Sequence, residues 1–207
     1  MLEHVPAWLG SMLKTVRAGH SKLVVADSKL ALGGPQIRLT SPAFADGARL
    51  PERCTADGEG ISPPLVWSGV PEGTAALALI VEDPDAPAPY PLVHAVVWNL
   101  PAAEAGLSEG SIAPDGSGDG GADVGRNSYF REGWLPPDPP TGHGSHDYVF
   151  QLFALSAAAT VPENPGRSAV VEAMEGRVLG FGFIVGTYSR DEPSEVGPAG
   201  DGAVALS

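Results

Sequence analysis

Two histidines three residues apart, His143 and His146, stand in the stretch TGHGSHDYVFQLFALS (residues 141–156), beside Tyr148 and an alternating run of aromatic and aliphatic residues. Imidazoles in such a setting can hold a metal, pass a proton or grip the charged end of a ligand. More polar groups fall at the ends of apolar runs elsewhere: Asp83 and Asp85 in VEDPDAP, and His94 in LVHAVVWNLP. Pro84 and Pro87 fix φ and remove N–H donors, so the loop carrying the two aspartates is stiff.

Three chemistries compete for these groups. A zinc site would need His94, His146 and a carboxylate to converge. HExxH and clustered cysteines are both absent, and His143 and His146 sit at a loop-to-strand junction rather than on one helix face, so no metal is expected. A hydrolase triad lacks its GxSxG elbow, and Ser145 adjoins His146 in the chain. A pocket for an anion or polar head asks only for imidazoles, a phenol and a carboxylate that donate and accept hydrogen bonds. No cofactor is expected.

The chain that must position these groups has 207 residues, enough for one substantial core. Its 27 Gly and 21 Pro cluster between apolar runs, which points to a loop-rich, strand-rich fold. A net charge of −13 repels nucleic acid and anionic lipid headgroups, and excludes both as general partners. Between Arg53 and Arg126 there is no Lys or Arg, against eleven Asp and Glu. An anion site built from that segment must therefore use His, hydroxyls or backbone N–H groups. The one cysteine, Cys54, fits a buried structural thiol in a reducing compartment. No secretory leader and no apolar run of about 18 residues is present, so a soluble, cytoplasmic protein without membrane insertion is expected.

Residues 2–18 place Trp8, Leu9, Met12, Leu13 and Val16 at helical spacing and predict an amphipathic helix ending near Gly19. That helix either docks on its own domain or joins two copies; a homodimer is the expected assembly. Strands are predicted at Ile37–Leu39, Leu65–Trp67, Ala76–Val81, in LVHAVVWNLP, over Asp147–Leu155 (the longest strand signal), and in GFGFIVGTYSR. Ala76–Val81 is apolar on both faces and should be central. Residues 108–123 read as an exposed Gly/Asp-rich loop with one isolated Ile. A single short helix is predicted near residue 168, with Asn164 or Ser168 as its cap. This is a mainly β domain with peripheral helices. The implied division is an N-terminal extension at 1–30, the domain at 31–192 and a flexible acidic tail at 193–207.

Taken in order, CTADGEGISPPLVW, ALIVEDPDAP with its DPDxP signature, HAVVWNLP, GRNSYFREGW, PPDPPTGHGSHDYVFQLFAL with a GxHxY block, and VLGFGFIVGTYSR resemble the phosphatidylethanolamine-binding protein family, in particular its bacterial Raf-kinase-inhibitor-like branch. The likeness runs from about Ile37 to Arg190. It implies a large, mostly antiparallel central sheet, a smaller sheet packed on it, and a small cavity near the surface that accepts phosphate-like or carboxylate-like groups. Carried over by position, the ligand-binding residues would be Asp83, Asp85, His94, Pro140, His146 and Tyr148, with Gly142 and Gly144 shaping the loop. His143 would then be a loop residue off the pocket. Many relatives carry a basic residue where Asp147 stands; as the neighbour of Tyr148 it should point to the opposite sheet face. The implied function is a binding protein for a small anionic or phospho-type ligand, regulating a protein partner as a kinase- or protease-inhibitor-like module. The alternative is a small-molecule enzyme that uses the His/Tyr/Asp pocket for acid–base chemistry.

Overall fold

The computed structural model describes residues 15–30, 32–103, 105–114 and 123–190. Its centre is a five-stranded antiparallel sheet in the order β6-β4-β3-β7-β8, built from β3 (Ala76–Asp83), β4 (Leu92–Leu100), β6 (Asp123–Val124), β7 (His146–Leu155) and β8 (Val178–Tyr188). A three-stranded antiparallel sheet, β1-β2-β5, packs on one face, from β1 (Arg38–Thr40), β2 (Leu65–Ser68) and β5 (Ala105–Leu107). The other face is covered by one helix, α1 (Arg167–Met174), and by residues 15–30.

Strand alternation sorts the side chains between these layers. Leu77, Leu79 and Val81 of β3 join Phe150 and Leu152 of β7 and Leu39, Leu65 and Trp67 in the core between the sheets. Ala78 and Ile80 face the other way, toward Val170, Val171 and Met174 of α1 and Val24 and Leu30 of the N-terminal segment. With both faces covered, every residue of β3 is buried, as an apolar run without alternation requires. Cys54 is buried too, and burial pushes its thiol up to about 11.

A buried carboxylate pins the N-terminal segment to the sheet. Glu82, fully buried in β3, accepts from Arg167 Nε at 2.7 Å, Gln151 Nε2 at 2.8 Å and the Val24 amide at 2.9 Å. Gln151 Oε1 in turn accepts from the Val25 amide at 2.8 Å. Three donors satisfy a charge that would otherwise be costly in the interior.

Several expectations are corrected. The predicted helix over residues 2–18 falls mostly on residues 1–14, outside the described residues. Its expected last turn, residues 15–18, is not helical, because the amides of Ala18 and Gly19 bond instead to the carbonyls of Ala86 and Pro84. Single 3-10 turns follow at His20–Lys22, Val24–Ala26 and Ser28–Leu30. The cap of α1 is Gly166, with no side-chain capping bond, rather than Asn164 or Ser168. The Gly/Asp-rich stretch is not wholly exposed: Ile112 is buried between the sheets, while residues 115–122 lie outside the described residues. The short strands β5 and β6 flank that stretch and carry too few apolar residues to announce themselves. Among the described residues β8, with 11 residues, runs one longer than β7, with 10. The predicted tail, 193–207, also lies outside the described residues.

Candidate functional site

At one end of the central sheet, on the face of the smaller sheet, a cavity of about 200 Å³ opens between Asp83, Leu92, His94, Arg131, Pro140 and His146. Each is delivered by a local feature of the chain. Asp83 is the last residue of β3, and His146 the first of β7. His94 sits where the β3–β4 pairing skips a residue: Val81 pairs with Ala95 and Glu82 with Val93, leaving His94 unpaired. A bulge of this kind re-aims a side chain, and here His94 shares the cavity face with Leu92.

His94 is held tightly. Its amide carbonyl accepts from the Leu135 amide at 2.8 Å, and its Nδ1–H donates to the Leu135 carbonyl at 2.6 Å. The ring packs between Trp134 and Tyr148, with centroids 6.0 and 5.0 Å away. That bond fixes the tautomer and leaves Nε2 as an acceptor, buried and without a partner among the described residues. Burial holds the imidazole below its ordinary value, with His146 adding to the effect, while Asp83 and the Leu135 bond oppose it. Tyr148 is fully buried, and its hydroxyl also has no partner among the described residues. Burial and the nearby carboxylates, Asp83 foremost, push that phenol well above its ordinary value, so it remains an O–H donor.

Asp83 does not face the cavity as a free charge. Its Oδ1 accepts from the Asp85 amide at 2.8 Å, and its Oδ2 accepts from His146 Nδ1 at 2.7 Å. His146 Nε2 lies 2.6 Å from His143 Nδ1, so the three residues form one hydrogen-bonded chain. Both ring nitrogens of His146 are thus taken by the protein. His143 lies on a loop, as expected, but it is completely buried and orients His146. Gly142 and Gly144, with φ of 82° and 97°, let the chain turn sharply on either side of it.

The expected site residues separate into groups. Asp83, His94, Pro140 and His146 line the cavity, and Tyr148 stands behind His94. Gly142 and Gly144 shape the loop without lining it. Asp85 turns away, pairing with Arg17 at 2.5 Å and accepting from the Asp147 amide at 2.8 Å. Asp147 points off the cavity face, with Oδ2 3.1 Å from His20 Nε2. Ligand atoms of His20, Asp85 and Asp147 lie close enough to meet one cation, but Arg17 already pairs with Asp85 there. Among the described residues, His94 and His146 form no such metal-ligand group.

Sequence reasoning missed the rim. Tyr129 and Arg131 come from a turn clamped by buried Asn127, whose Oδ1 accepts from both of their amides and whose Nδ2 donates to Gly133. Arg131 brings the fixed cation that the basic-free segment lacks, and its guanidinium makes no ion pair among the described residues. The rim carboxylate Asp138 is paired with Arg190 at 2.6 Å, which also grips Asp57 at 2.7 Å. The asparagine followed by a short polar turn was the available signal for this clamp.

A family model described as phosphatidylethanolamine-binding protein matches residues 40–189. The chain is 42% identical over 158 residues to a UPF0098 protein of Methanothermobacter thermautotrophicus, covering 74% of this chain and 99% of the relative. Among solved structures it resembles the PEBP homologue CT736 of Chlamydia trachomatis, at 34% identity and a TM-score of 0.68, and YbcL of E. coli, at 31% identity and 0.70. Each alignment covers 75% of this chain and 99% of the other. Sequence match, sheet architecture and solved neighbours agree: the chain belongs to the phosphatidylethanolamine-binding protein family.

Proposed function

We propose that this chain is a binding protein whose His94 cavity receives the phosphate or carboxylate head of a small ligand. One observation carries the reading. His94 Nε2 and Tyr148 Oη are two of the four buried side-chain polar atoms without a partner among the described residues, and they belong to rings in contact. An unpaired buried polar atom costs about 1–3 kcal/mol, so a fold that keeps one on the cavity wall and a second on the ring directly behind it supports an incoming partner that reaches both.

Their chemistry narrows the ligand. A neutral His94 accepts and Tyr148 donates, so the best complement carries both an oxygen and an O–H, as a monoprotonated phosphate does. Arg131 adds positive charge at the mouth. A cavity of about 200 Å³ is smaller than sites for drug-sized ligands and suits a headgroup. As pH falls, His94 gains a proton and becomes a second donor, so anions bind more tightly in acid. A partner protein would be regulated at the rim formed by Tyr129 and Arg131, in the manner of a kinase- or protease-inhibitor-like module.

Calorimetric titration with inorganic phosphate, phosphoethanolamine and acetate tests the reading. Binding of the phosphates that is lost in His94→Ala supports it; heats unchanged by that substitution contradict it. Cytoplasmic residence and a homodimer belong to the same proposal. Deletion of the N-terminal residues tests the dimer, and an oligomeric state unchanged by it would refute their role in it. The enzymatic alternative rests on the Asp83–His146–His143 chain, and it predicts turnover of a small substrate that disappears in His146→Ala.

A further inference from the structure

A second and larger cavity lies on the opposite face of the same sheet end. Val93 lines it while the neighbouring His94 lines the first, as adjacent strand residues must. Its volume is about 730 Å³, within the range of small-molecule sites. The N-terminal segment, the β3–β4 loop, the Asn127-clamped turn and the first residues of α1 form its walls. The segment wall, residues 21–28, lies outside residues 40–189 that match the family model, so the cavity is walled in part by chain beyond that match.

The lining combines charge and aromatic surface. Lys22, Arg126 and Arg167 contribute cations against one carboxylate, Asp27, in a protein whose net charge is −13. Arg167 is engaged by Glu82, but the Arg126 guanidinium makes no ion pair among the described residues. Lys22 donates to the Pro89 carbonyl and sits 5.5 Å over the Tyr90 ring, with no carboxylate partner among the described residues. Tyr90 and Phe130 are 72% and 81% exposed. Phe130 also holds a φ of 59°, a conformation that costs a non-glycine residue about 1–2 kcal/mol. The turn that imposes it is rigid, because buried Asn127 takes two amides of the same turn. Packing does not explain an exposed aromatic kept at that cost, whereas contact with a ligand does.

We propose that this cavity is a second binding site, for a small aromatic ligand bearing one anionic group. The ring would lie against Phe130 and Tyr90, and the carboxylate or phosphate would pair with Arg126 and Lys22. Such a ligand is distinct from the bare headgroup assigned to the His94 cavity. Its size exceeds what about 200 Å³ can hold.

The test uses the full chain and three probes: 1-naphthyl phosphate, 1-naphthoate and neutral 1-naphthol, followed by calorimetry and by backbone amide and imidazole NMR. Both anions should bind and shift the amides of Val93, Arg126 and Phe130. Arg126→Gln should weaken the anions about tenfold and leave naphthol little changed. Phe130→Ala should weaken all three about fivefold. Both positions are exposed at the surface, and circular dichroism checks that the variants fold. Either of two results overturns the proposal: anion binding that neither substitution changes, or shifts confined to the His94 imidazole with the Phe130 turn silent. Equal binding of naphthol and the two anions would overturn the charge assignment at its centre.

Discussion

The two cavities share the walls of one sheet end and differ in almost everything else. The His94 cavity is small, and its histidines and carboxylates are each held by another group: Leu135 fixes His94, His143 and Asp83 fix His146, Arg190 fixes Asp138. The second is large, open, lined by Lys22 and Arg126, and walled by a segment that the family match does not include. One is held rigid by hydrogen bonds within the protein and the other offers charge and aromatic surface. The difference teaches that the first cavity is built wholly from residues within the family match, while the second needs the N-terminal segment as a wall.

The largest expected effect separates them by stability. Arg167→Ala leaves the Glu82 carboxylate buried with its counter-ion gone, which should cost about 3–5 kcal/mol. Residues 15–30 should then loosen in hydrogen exchange while phosphate still perturbs His94. Loss of the His94 response as well would mean that the cavities are one cooperative unit.

Tyr148→Phe should act in the opposite sense. It removes a buried hydroxyl that has no partner, so stability should rise by about 1–3 kcal/mol in denaturant unfolding. Headgroup binding should fall at the same time. A destabilised variant would show that the hydroxyl is satisfied in the folded protein.

Acid should weaken the fold through His94. Its pKa is lowered in the native state, so the unfolded chain binds the extra proton first. The stabilisation is complete above about pH 6.5 and is lost as pH falls from there toward the lower native value, by at most about 1.4 kcal/mol per pH unit. Melts between pH 8 and pH 5.5 should show that slope, and His94→Phe should flatten it. The smallest effect belongs to the second cavity: Phe130→Gly relieves the positive φ and should stabilise by about 1 kcal/mol, while weakening the aromatic anions.

Much of this molecule was legible in its sequence. The apolar run of β3 announced a central strand, and the polar groups singled out at strand ends, Asp83, His94 and His146, meet on one cavity wall. Family order then placed Asp83, His94 and His146 together. Other features leave no local pattern. The skipped pairing at His94 depends on how β4 registers against β3. The role of His143 arises only because Gly142 and Gly144 fold its ring back onto His146. Arg131 reaches the cavity through a turn held by Asn127, far in sequence from His94. The second cavity is a product of tertiary packing: its walls come from four separate parts of the chain. The expected helix end at 15–18 lost to backbone bonds with the Pro84–Ala86 loop.

The central claim is that the unpaired His94 Nε2 and Tyr148 hydroxyl form the recognition pair. Titrating inorganic phosphate into the protein while recording the histidine side-chain ¹H–¹⁵N resonances, for the wild type and for Tyr148→Phe, tests it most directly. The account predicts a saturable shift of His94 Nε2 that grows as the pH is lowered and is largely lost in the variant. A silent His94, or a shift that Tyr148→Phe leaves intact, would contradict it.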